Sequence, residues 1–115
     1  SDFAFKGADC TLEAGTLAAI MQFKNAKKPV GLMCISPVLS AKIFGAGVLC
    51  TIGNDEGTAA AMTQMGAAHQ TTAVDGIVVD EANRLVTTPA YMLAQSISEA
   101  AKGINKLVEQ VLKMA

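Results

Sequence analysis

Apolar positions along the chain switch repeatedly between helical and strand-like spacing. From Thr11 to Lys27 the residues Leu17, Ile20, Met21 and Lys24 fall on consecutive turns, which predicts a helix. Lysines close its C-terminal end, where the dipole favours cations, and Pro29 stops it. Val30 to Ile35 is apolar throughout and predicts a strand buried on both faces, inside a sheet. Ser36-Pro37 opens a short helix to Phe44, because Ser caps and Pro fits the first turn. Gly45-Ala46-Gly47 breaks it. Val48 to Ile52 reads as a second strand and Gly53-Asn54 as a turn. Asp55 to Met65 reads as a helix, with acidic residues in its first turn and Gly66 as its C-terminal cap. A strand is expected near His69–Thr72. Ile77–Val79 and Leu85–Thr88 flank a polar turn, Asp80 to Arg84, in which Asn83 is able to take the left-handed conformation, and predict a β-hairpin. Pro89 ends the hairpin. The last helix, Ala90 to Lys113, carries a stripe of Leu93, Ile97, Ala101, Ile104, Leu107, Val108, Val111 and Leu112.

Strands alternating with helices predict an α/β fold with a mostly parallel sheet. The elements amount to about half of a doubly wound sheet, so residues 1–115 are expected to be half of one domain. Such a piece should leave a sheet edge or face apolar and unpaired unless another polypeptide covers it. No linker, low-complexity tract or repeat divides the chain, and 115 residues suit one domain.

Composition narrows the function. With 51% hydrophobic and 17% charged residues the chain builds a core; with 4% aromatics and no Trp, that core is aliphatic. A net charge of −1 gives no footprint for nucleic acid. The longest uncharged apolar runs, Pro29–Ala41 and Ile43–Asn54, are shorter than the roughly 20 residues a membrane span needs. A mean hydropathy of +0.38 is high for a small domain and points to a surface that something else buries. Cys10, Cys34 and Cys50 are odd in number and lack zinc-site spacing, which points to a reducing, cytoplasmic setting and no metal. No signal peptide is visible. The chain opens on Ser1 rather than Met, so it is expected to begin inside its gene.

The candidate chemistry sits at Cys34. A buried strand running into Cys34-Ile35-Ser36-Pro37 places a thiol on a sharp strand-to-helix turn, as in a nucleophile elbow. In open α/β sheets such a side chain points into the crevice beyond the strand ends. The amides of Ile35 and Ser36, at the start of the following helix, could hold an anion and favour a thiolate. Packing as a small core residue is the competing reading of the cysteine.

Several segments resemble one family. They are Val30 to Pro37, Thr51-Ile52-Gly53, Met65 to His69, Ile77 to Glu81 and, most specifically, Val86-Thr87-Thr88-Pro89-Ala90-Tyr91-Met92-Leu93-Ala94-Gln95. Together they resemble the enhancing-lycopene-biosynthesis (sigma cross-reacting) proteins of the PfpI-like, class I glutamine amidotransferase-like superfamily. The likeness runs from about residue 2 to the C-terminus. It implies a flavodoxin-like three-layer sandwich, of which this chain is the C-terminal half plus a β-hairpin. The nearer likeness is to bacterial members, since mitochondrial ones carry an insertion after Thr51-Ile52-Gly53. The resemblance also implies Cys34 as nucleophile of a cofactor-free glyoxalase acting on small α-oxoaldehydes, with a looser link to isoprenoid production. Its acid–base group would be a Glu from the other half of the domain.

Departures from the family pattern shape the expectation. Peptidase-like relatives place a His directly after the nucleophile, where this chain has Ile35; others place one after the next strand, where it has Gly53. The single His, His69, follows a later helix and, with Cys10 and Tyr91, is at most accessory to the site. Cys50 reads as core packing. Asp80-Glu81 reads as a solvated turn, and Lys24, Lys27 and Lys28 as a helix end rather than a phosphate clamp. The expected partners are a small aldehyde, the missing half of the domain and a second copy in a homodimer. The alternative is a non-catalytic binding, regulatory or redox-sensing protein that keeps the elbow.

Overall fold

The computed structural model describes all 115 residues. Its strands are β1 (Val30–Met33), β2 (Leu49–Cys50), β3 (Ala68–His69), β4 (Val78–Asp80) and β5 (Leu85–Thr88). Its helices are α1 (Phe3–Lys6), α2 (Ala14–Asn25), α3 (Ser40–Phe44), α4 (Glu56–Gln64) and α5 (Ile97–Met114), with 3₁₀ turns at Gly7–Asp9, Ser36–Leu39 and Ala90–Met92. One sheet has the order β1-β5-β4, with β5 parallel to β1 and antiparallel to β4; β2 and β3 form a parallel pair.

Side-chain alternation along β1 defines three layers. Leu32 joins the main core with Val38, Ile43, Val48, Ile52 and Met62, against which Leu17, Ile20 and Met21 of α2 pack. Its neighbour Gly31 faces the other way. A Cβ at Gly31 would lie 2.7 Å from Leu107 Cδ2 and 3.3 Å from Val111 Cγ2, so α5 closes that face at a distance only glycine allows. The sheet therefore lies between α5 on one side and α2, α3 and α4 on the other, as a flavodoxin-like α/β fold requires.

β1 does not sit inside the sheet as its apolar run suggests; it is an edge strand. Val30 N–H donates to Arg84 O and Cys34 N–H to Thr88 O, so even-numbered residues face β5 and odd-numbered ones the open edge. At Met33 that edge is already occupied. The Ser36 hydroxyl accepts from Met33 N–H (3.0 Å) and donates to Met33 C=O (2.7 Å). Ser36 thus folds back on the strand and does not cap the following turn. One hydroxyl satisfies the groups that a next strand would have paired.

The β2–β3 pair joins the larger sheet through side chains. Leu49 N–H donates to Asp80 Oδ2 (2.8 Å) and Thr51 N–H to Thr87 Oγ1 (3.0 Å). Asp80 also accepts from Asn83 N–H and Asn83 Nδ2, each at 2.9 Å. Asp80 is therefore a buried anchor rather than a solvated turn residue, and only Glu81 beside it is exposed. Asn83, held by this carboxylate, does not take the left-handed conformation; Arg84 does, at φ 53°.

Other boundaries move for local reasons. Helix α2 starts at Ala14, because the Glu13 carboxylate accepts from Gly15 N–H and Thr16 N–H. Helix α5 starts at Ile97, not Ala90: the Ser96 hydroxyl accepts from Glu99 N–H while Glu99 accepts from Gln95 N–H. Its buried line is Ala100, Gly103 and Leu107, so the predicted stripe is wider than the face in use. Ile97 and Leu112 stand 82% and 68% exposed.

Desolvation raises the proton affinity of Asp80, but the bonds from Asn83, Leu49 and Ala82 outweigh it and hold the carboxyl below its ordinary value of 3.8. The stability it contributes is complete above that value and is lost as pH falls through the lower, folded one. Asp80→Asn should cost about 1–3 kcal/mol near neutral pH, because the new amide turns a donor toward donors. It should also flatten the acid limb of the stability curve. Urea melts at several pH values read both effects.

Candidate functional site

The elbow forms where β1 ends. Cys34 follows Met33 with φ 61°, left-handed backbone that a side chain strains to adopt. Ile35 returns to the right-handed region and Pro37 leads the 3₁₀ turn Ser36–Leu39. Three bonds hold Cys34 in that strained state: its own amide donates to Thr88 O at 3.2 Å, and the Ser36 hydroxyl makes two with Met33. The thiol is free and half-buried, whereas those of Cys10 and Cys50 are fully buried.

The N–H groups of Ile35 and Ser36 donate to no other protein group, so both remain available at the turn. Beside them is a recess of about 240 Å³ between Ser1, Phe3 and Ala4 on one wall and Ile35, Ser36, Val38 and Leu39 on the other. It is mainly apolar and admits a small molecule. Tyr91 lies at the same end of the sheet, on the 3₁₀ turn that follows β5, and is 63% exposed. Cys10 closes the first 3₁₀ turn, which packs on α4.

His69 has a structural contact. At the end of β3 its Nε2 accepts from Ile52 N–H at 3.0 Å, so that nitrogen carries no proton and cannot act as a base while the bond stands. Burial makes the ring harder to protonate. No histidine could stand at Gly53 either. Its φ of 104° belongs to glycine, and a Cβ there would lie 2.9 Å from Leu93 Cδ1. The thiol thus has neither histidine pattern of the family. Cys50, on β2, is fully buried, and that burial pushes its thiol up and away from ionisation despite a bond from Ser40. No cluster of three or more His, Cys, Asp or Glu residues could hold a metal ion, and no helix is long and apolar enough to cross a membrane.

A mostly parallel sheet with helices on both faces and a strained cysteine where β1 ends is an arrangement this chain shares with amidotransferase-like proteins, and the comparisons support the class I glutamine amidotransferase-like superfamily. Among its relatives are the ES1 protein homolog, mitochondrial, of Rattus norvegicus and glutamine amidotransferase-like class 1 domain-containing protein 3, mitochondrial, of Homo sapiens. Each is 37% identical over 123 residues, covering 99% of this chain and 46% of the relative. The crystal structure of an isoprenoid biosynthesis protein with amidotransferase-like domain from Ehrlichia chaffeensis matches with a TM-score of 0.82 at 27% identity. That match covers 98% of this chain and 52% of the other. The chain therefore spans about half the length of the relatives it matches. No family model matches the chain.

The sequence pointed to the elbow but not to the Ser36 clasp, because Ser-Pro reads equally as a helix cap. If the left-handed turn at Cys34 is held against its own preference, Cys34→Gly should raise stability by roughly 0.5–1 kcal/mol. The β-branched Cys34→Val should lower it by about 1–2 kcal/mol. Paired thermal melts read both, and a destabilised glycine variant would refute the strain.

Proposed function

We propose that Cys34 is the nucleophile of a cofactor-free, glyoxalase-like lyase acting on small α-oxoaldehydes such as glyoxal and methylglyoxal. The observation that supports this reading is the free, half-buried thiol on a strained elbow, next to the unbonded amides of Ile35 and Ser36 and a small apolar recess. In the reaction, Cys34 Sγ adds to the aldehyde carbon and the amides receive the developing oxyanion. A base then moves the proton from that carbon to the neighbouring carbonyl carbon through an enediol, which converts the hemithioacetal into a thioester. Water hydrolyses the thioester to the 2-hydroxy acid and returns the thiol. No electron leaves the substrate overall, so no redox cofactor enters the balance.

The proton relay is assigned to a carboxylate outside these residues, because the one histidine is bonded to Ile52. In this reading residues 1–115 are the C-terminal half of the domain, and the other half supplies that carboxylate and covers the exposed apolar face. Three unpaired cysteines suit a reducing compartment such as the cytoplasm. The matched Ehrlichia protein is named for isoprenoid biosynthesis, and a role beside that chemistry is part of the proposal. The engagement of His69 also favours a second reading, a binding or redox-sensing protein in which Cys34 reacts without turnover.

A substrate-loss assay on the full-length protein separates the two. Methylglyoxal should disappear without added metal or thiol, Cys34→Ser should fall to background, and His69→Ala should keep most of the activity. Activity unchanged in Cys34→Ser would refute Cys34 as the nucleophile, and no turnover by the unaltered protein would leave the sensor reading. Activity lost in a folded His69→Ala protein would restore the histidine to the mechanism.

A further inference from the structure

Four non-glycine residues have positive φ, and they bracket the parallel pair: Lys27 and Cys34 before and after β1, Arg84 and Ala90 before and after β5. Cys34 and Ala90 belong to the elbow end. Lys27 and Arg84 belong to the opposite end, where they line one cavity of about 300 Å³ with Lys24, Phe44, Ala82 and Asn83. Each left-handed position has a local cause. Lys27 is the residue after helix α2, with Lys27 N–H on Lys24 O and Lys28 N–H on Phe23 O. Arg84 is the last residue of the hairpin turn, with its N–H on Glu81 O. Glycine or asparagine serves such positions with less strain, yet both hold a cation whose side chain lines the same cavity.

From this geometry we infer that the cavity at the N-terminal ends of β1 and β5 binds a small organic phosphate or diphosphate, a site separate from the elbow. Three cations line it and no carboxylate does; Lys24, Lys27 and Arg84 form no salt bridge. Asp80 lies behind Asn83 and already accepts from Leu49 and Asn83, so it does not neutralise them directly. Arg84 Nη2 donates to Met114 C=O, and its buried Nε has no protein acceptor. Lys24 Nζ lies 5.9 Å from the centre of the Phe44 ring, which holds the ammonium at the wall and offers an apolar face to the organic part. Three cations lining one cavity exceed what one carboxylate needs and suit a phosphoryl group, which guanidinium recognises through its fork. Read along the sequence, Lys24 and Lys27 are only a helix end. The β1–β5 register brings Arg84 beside them.

Pyrophosphate titrated into the full chain at constant ionic strength, followed by amide resonances and calorimetry, tests the site. Saturable one-site binding is expected, with shifts at Lys24, Lys27 and Ala82 to Arg84, and succinate about tenfold weaker. Lys27→Gly should weaken pyrophosphate about tenfold while leaving the melting temperature equal or higher, since glycine relieves the turn. Arg84→Lys keeps the charge but loses the fork and should also bind more weakly. No saturation, shifts confined to other residues, succinate as tight as pyrophosphate, or unaltered affinity in Lys27→Gly would each overturn the inference.

Discussion

Everything distinctive in this chain depends on one pairing, the parallel register of β1 on β5 from Val30↔Leu85 to Met33↔Thr88. It joins segments far apart in sequence, so its hydrogen bonds form only after a long loop closes. It also fixes both ends of the strands at once. At one end, Thr88 O accepts the Cys34 amide and holds the thiol on its elbow; at the other, Arg84 O accepts the Val30 amide and sets Arg84 beside Lys27.

The strain at the ends is tolerated because neighbouring bonds over-determine it. Ser36 clasps Met33 on the open edge, and the hairpin turn is drawn onto Asp80. Asp80 and Thr87 then hold β2 by side chain where no backbone ladder reaches it. The result is a small sheet whose polar groups are largely satisfied internally, while Ile97 and Leu112 on α5 remain uncovered. That uncovered surface and the half-length match to the relatives are the two observations that join this chain to a larger domain in the functional proposal.

Much of this was legible in the sequence where the signal is local. The elbow was readable because an apolar run ends in Cys-Ile-Ser-Pro, and the hairpin because a polar turn separates two β-branched runs. The burial of Asp80 was not, since it arises from Leu49, 31 residues earlier. Neither was the edge position of β1, because an apolar edge strand and an interior one read alike. The start of α5 is legible too, since Ser96-Ile97-Ser98-Glu99 has the spacing of a capping box inside the apolar stripe. The single histidine carried no signal of its bond to Ile52, which depends on β2 lying beside β3.

The central claim is that the β1–β5 pairing presents Cys34 to solvent on a strained turn while the other two thiols are sealed. Mapping iodoacetamide modification by mass spectrometry under native conditions tests it directly. Cys34 should be alkylated at least about tenfold faster than Cys10 or Cys50, which react only when the fold opens. Equal rates for the three cysteines, or a protected Cys34, would contradict the account.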